Sequence, residues 1–176
     1  SEPAPDAPGA DRYAGPVRVA GNKVVRARAF LEDHEPSDIV THTYVFPADV
    51  ARQPAVPPGL PASWSGHAAD YGVDPDVVRG TLPGYGLEDA LSALPTVSIV
   101  LPSEDLFGGS SGIYSNSMQV LERPASVELF EADGDGFQAD AGVRIHGYTS
   151  RDPSFTLKHS FRVLFKGRYG PKQLRR

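Results

Sequence analysis

The segment spanning residues 142–170, GVRIHGYTSRDPSFTLKHSFRVLFKGRYG, gathers the side chains best suited to chemistry. Alternation over residues 157–166 predicts a long strand with a core stripe of His159, Phe161, Val163 and Phe165. Its opposite face then carries Lys158, Ser160 and Arg162, with Lys166 further along. Residues 142–146 read as the preceding strand, with Val143 and Ile145 on one face and Arg144 and His146 on the other. If the two strands pair, Arg144, Lys158 and Arg162 merge into one cationic patch. The connection between them adds Gly147, the hydroxyls of Thr149 and Ser150, and the charge of Arg151. Fixed cations, hydroxyls and backbone N–H groups beside a permissive glycine suit a polyphosphate. The simpler reading is a solvated strand face, the usual fate of such residues.

Charge is distributed to match. The net charge is −5, yet residues 144–176 hold nine Lys or Arg against the single acid Asp152. That asymmetry calls for an anionic partner of the C-terminal segment or an acidic surface elsewhere in the same protein. Other chemistries find no support. The chain lacks cysteine, which excludes disulfides and thiolate chemistry. Its five histidines form no HExxH or HxxxH pair, and Ser110 and Ser111 form no GxSxG elbow. Asp133-Gly134-Asp135-Gly136 lacks the remaining ligands of a calcium loop and reads as a hairpin turn. No run of about 20 apolar residues is present to span a membrane.

The elements that must position the cations are mostly short strands, as 18 Gly and 17 Pro also indicate. Residues 1–11 read as linker. Three strands are expected in residues 16–19, 23–30 and 39–46, too few to close a sandwich. In them Arg26, Arg28, His34 and His42 read as solvated strand or turn residues. Residues 48–94 lack sustained periodicity and read as a Pro-rich wrap, with the only tryptophan, Trp64, as a packing anchor. Within it Asp74-Pro75 marks a helix start, and the spacing of Leu87, Ala90, Leu91 and Leu94 is helical. Residues 96–101 read as a buried strand, 103–116 as a Gly- and Ser-rich loop, and 125–131 as a further alternating strand. Residues 95–166 thus predict an antiparallel sheet of about four strands.

Two family resemblances sit on these residues. YAGPVRVAGNKVVRARAFLEDHEPSDIVTHTYVF resembles the end of the immunoglobulin-like module at the C-terminus of chitobiase and β-hexosaminidase. The ordered blocks LPTVSIVLPSEDLFGGSSGIYSN, ERPASVELFE, GVRIHGYTSR and LKHSFRVLFKGRYG resemble the start of a CotH-type (spore-coat protein H) kinase domain. Together they imply a mainly β chain: the end of a β-sandwich module over residues 1–47, a linker with short helical turns over 48–94, and the truncated β-rich start of an atypical kinase-like α+β domain over 95–176.

The second resemblance implies ATP- and Mg-dependent phosphoryl transfer to protein hydroxyls in an exported bacterial protein. It makes Lys158 the phosphate lysine, residues 147–151 (with Gly147, Ser150 and Arg151) the covering loop, and Arg144 and Arg162 auxiliary phosphate contacts. This loop is not a GxGxxG. Catalytic and metal-binding aspartates are expected beyond Arg176, so the chain needs the rest of its kinase domain and is by itself inactive. A protein substrate is implied, with no nucleic acid and no membrane span. One alternative is a non-catalytic cell-surface or spore-surface protein on a degenerate kinase fold. Another is a carbohydrate-active enzyme, suggested only by where the first module occurs.

Overall fold

A computed structural model describes residues 10–80 and 86–174. The expectations for residues 1–9, Arg175 and Arg176 lie outside the described residues. The chain is mainly β, and its strand pairs are antiparallel. Strands β1 (Lys23–Ala27) and β2 (Val40–Tyr44) form a hairpin. Helix α1 (Pro47–Ala51), a two-residue-per-strand hairpin of β3 (Ser63–Trp64) and β4 (His67–Ala68), and helices α2 (Pro75–Val78) and α3 (Leu87–Ala93) follow. Strands β5 (Thr96–Val100), β6 (Arg123–Phe130), β7 (Gly136–His146) and β8 (Ser160–Leu164) then build a four-stranded meander in sequence order, curled into a half-barrel. Helix α4 (Ser103–Phe107) lies between β5 and β6, and a short 3₁₀ turn (Thr149–Arg151) between β7 and β8.

Local chemistry explains several of these elements. Asp74 accepts a hydrogen bond from the Asp76 N–H (2.8 Å), and Pro75 opens α2 without wasting a donor. At the β6–β7 turn the Asp133 carboxylate accepts from the Asp135 N–H, and Gly134 supplies φ +89°. Ser65 and Gly66, at φ +48° and +80°, make the two-residue turn of the β3–β4 hairpin.

One face of the meander is the core. Ala125, Val127, Ala141, Val143 and Ile145 are buried there, backed by Ile99, Val163 and Phe165. Residues 108–120 lay Ile113, 1% exposed, onto this face. Their backbone bonds to α4 through Ile113 N–H to Asp105 O and Tyr114 N–H to Leu106 O. Burial of Ile113 contributes about 1.5–3 kcal/mol. Beside it Trp64 meets Tyr71 and Tyr114 edge-on, both at 5.2 Å, and stacks on Phe107 at 5.8 Å. Trp64 is therefore a packing anchor, tying the Pro-rich segment to the sheet region.

Four expectations change. Residues 16–19 form no strand: Pro16 brings no N–H donor, and Val17 is largely exposed. Strand β5 is an edge strand rather than a buried one, and Val97 is 57% exposed. The Gly- and Ser-rich loop contains α4. The last strand begins at Ser160, not at residue 157, because its partner β7 ends at His146, where Gly147 turns away at φ +114°. With no neighbour beyond that point, Lys158 lies outside the strand.

Candidate functional site

The other face of the sheet is polar; two covers meet it and a third part is left open. At the β5–β6 end the β1–β2 hairpin sits on it. Thr43 of β2 hydrogen bonds to Ser98 (2.8 Å) and donates to the carboxylate of Glu128, which is only 3% exposed. His42 Nδ1 stands 3.9 Å from the same carboxylate. Arg26 also turns inward: it is half-buried near Asp140 and is not the solvated strand residue its sequence context predicts. Burial pushes the Asp140 carboxyl above the ordinary carboxylate value, opposed by the Ser126 hydroxyl and the Arg26 charge. Arg28 and His34 stay at the surface, bonded to the Ser37 and Glu32 carbonyls.

In the middle of the face the chain returns after β8. Gly142 is the seat for this return, since a Cβ there would collide with the Tyr169 ring and the Glu122 carboxylate. Lys166 (2.8 Å) and Arg168 both donate to Glu122, whose side chain is mostly buried. Burial alone would raise the Glu122 pKa, but hydrogen bonds from Lys166, Arg168 and Tyr169 outweigh it and hold the carboxyl down at about 2. Two of the C-terminal cations thus find their acid inside the chain, 44 and 46 residues upstream.

At the β7–β8 end no acid answers. Arg144 and Arg162 stand directly opposite each other in register, and His146 is opposite Ser160. Among the described residues no carboxylate pairs with Arg144 or Arg162. Like charges placed so are destabilising in the absence of a counter-ion. Arg162 Nη2 donates to His146 Nε2 at 3.4 Å. A guanidinium has no acceptor, so in this contact Nε2 is the acceptor.

The remaining site residues fall around this pair. Gly147 holds the turn, and the Ser150 hydroxyl sits where a Cβ would project. Ser150 O bonds to the ring of buried His159 (3.0 Å), and Arg151 O accepts from Ser117 (2.6 Å). Residues 147–151 are thereby pinned from below by their carbonyls. Lys158, expected beside Arg162 on the strand, instead reaches Asp70 at 3.7 Å, with both side chains largely exposed. The fold joins Arg144 with Arg162, sets the Gly147 turn next to them, and separates Lys158 from their strand face. It also adds His146, which sequence reasoning had placed on that face without giving it a role.

Two shallow grooves, about 600 Å³ by Phe137 and Leu174 and about 360 Å³ by Arg26 and Pro102, are lined by other residues. The described residues bring together no group of three His, Asp or Glu side chains fit for a metal. No helix among them is long and apolar enough to cross a membrane. Compared with family models, with curated proteins and with solved structures, the chain finds no match.

Proposed function

We propose that this chain is the amino-terminal part of a CotH-type kinase domain, preceded by the end of an immunoglobulin-like module, in an exported bacterial protein. In the complete protein it would bind the phosphates of ATP for transfer to a protein hydroxyl. The observation that carries this reading is the opposed Arg144–Arg162 pair beside the Gly147 turn, two cations without an acid where the rest of the polar face is neutralised. The planar guanidinium fork takes oxyanions such as phosphate bidentately, and a pair of them supplies two such forks.

In this reading Arg144 and Arg162 take the phosphate oxygens, and the turn through Ser150 and Arg151 borders them. Lys158 is a third contact, released from Asp70; exposed pairs of that kind hold by no more than about 1 kcal/mol. Magnesium would be supplied with the nucleotide. The part of these residues in this reading is to bind and orient phosphate.

Calorimetric titration of ATP·Mg into the whole gene product tests the proposal. Arg162→Ala should weaken ATP by about 10- to 150-fold, the equivalent of a charge-assisted contact of about 1.5–3 kcal/mol. Lys158→Ala should weaken it less, because its pair with Asp70 competes. Equal affinities for wild type and Arg162→Ala would remove the pair from the site. No ATP binding by the wild type would leave the non-catalytic surface-protein reading in its place.

A further inference from the structure

We infer that His146 makes the Arg144–Arg162 face a proton-linked oxyanion site, one that binds a dianion more tightly as pH falls. The inference rests on the phosphate reading of that face and concerns its regulation. Its basis is the contact of Arg162 Nη2 with His146 Nε2 at 3.4 Å, in which the guanidinium can only donate and the imidazole can only accept.

Consider what an anion does to that arrangement. Seated between the two guanidiniums, it competes with His146 for the Arg162 N–H. The imidazole Nε2 then loses its donor while standing beside a dianion. Protonation at Nε2 restores a hydrogen bond, now donated toward the anion, and adds a third positive charge. Anion and proton therefore help each other bind, and the coupling is reciprocal. The groups facing His146 do not cancel this. From β8 they are Ser160 and Arg162, and from its own strand Arg144. Among the described residues no carboxylate pairs with His146. Histidine is the side chain whose ordinary charge change falls in the physiological pH range.

Sulfate is the probe, because it stays a dianion over the pH range in question whereas phosphate does not. Titration calorimetry at constant ionic strength should show sulfate binding at least about fivefold tighter at about pH 5.5 than at about pH 8. In His146→Gln, which keeps a polar group but cannot take up the proton, that ratio should fall to about one. Arg162→Ala should weaken sulfate at both pH values. Circular dichroism and an unfolding curve for each variant establish that it is folded. A wild-type affinity independent of pH, or a pH ratio retained in His146→Gln, would overturn the proton linkage while leaving the phosphate reading intact. Absence of sulfate binding at both pH values would overturn the linkage as well, and the ATP titration then decides the phosphate reading separately.

Discussion

The two faces of the four-stranded sheet solve opposite problems. The apolar face buries Val127, Ala141, Val143 and Ile145 under Ile113, with aromatic residues such as Phe165 packed against them. The polar face carries charge along its whole length, and each part is handled differently. Glu128 is covered by the hairpin, Glu122 is neutralised by the returning C-terminal segment, and Arg144 and Arg162 are left open. Stability is thus concentrated on one face. On the other, the proposed binding site lies where the cover stops.

Substitutions on the two faces should therefore behave differently, and the largest effect belongs to the core. Ile113→Ala should cost about 2–5 kcal/mol in denaturant unfolding, the range for a fully buried aliphatic. A cost under about 1 kcal/mol would show that the apolar face is not the store of stability. Next comes the covered acid. Thr43→Val leaves the buried Glu128 carboxylate one donor short and should cost about 1–3 kcal/mol, whereas Thr43→Ser should restore most of it. An equal loss in both would point to packing of the β1–β2 hairpin and not to the hydroxyl.

The neutralised acid has a pH signature. Glu122 titrates at about 2 in the fold against 4.5 for the free side chain. Its contribution is complete above the unfolded value and disappears as pH falls through the folded one. Because Lys166 and Arg168 are partly solvated, we expect a loss of about 1–2 kcal/mol across that window, flattened in Glu122→Gln. A Glu122→Gln protein with the wild-type acid profile would contradict this. Smallest of all should be the open end. Arg144→Ala should change unfolding free energy by no more than about 0.5 kcal/mol, in the stabilising direction if the facing charges repel. A loss several times larger would mean that the pair holds the fold together and would blunt the contrast between the faces.

The parts of this arrangement that could be read from sequence are those encoded locally. Alternation exposed the inward stripe of β7 and β8 and, with it, the shared outward face of Arg144 and Arg162. The turn at residues 133–136 and the Asp74-Pro75 helix start are each set by a few adjacent residues. What escaped depends on distant partners. Nothing near Glu128 reveals that Thr43, 85 residues earlier, will bury it. Likewise the basic C-terminal stretch looks uniformly unpaired until Glu122 is brought to Lys166 and Arg168. Lys158 shows the limit of periodicity itself. Its alternation fits a strand, but the neighbouring strand has already ended at His146, and without a partner the pattern has no sheet to join.

The central claim, that the open end of the polar face receives phosphate, is tested most directly by ligand-linked stability. Denaturant unfolding of the whole gene product would be followed with and without ATP, for wild type and for the Arg144→Ala/Arg162→Ala double variant. A ligand at about 100 times its dissociation constant stabilises the fold it binds by about 2.7 kcal/mol. We expect a gain of that order in the wild type and almost none in the double variant, whose own unfolding without ATP should match the wild type closely. Equal stabilisation of both proteins by ATP, or none in the wild type, would contradict the claim.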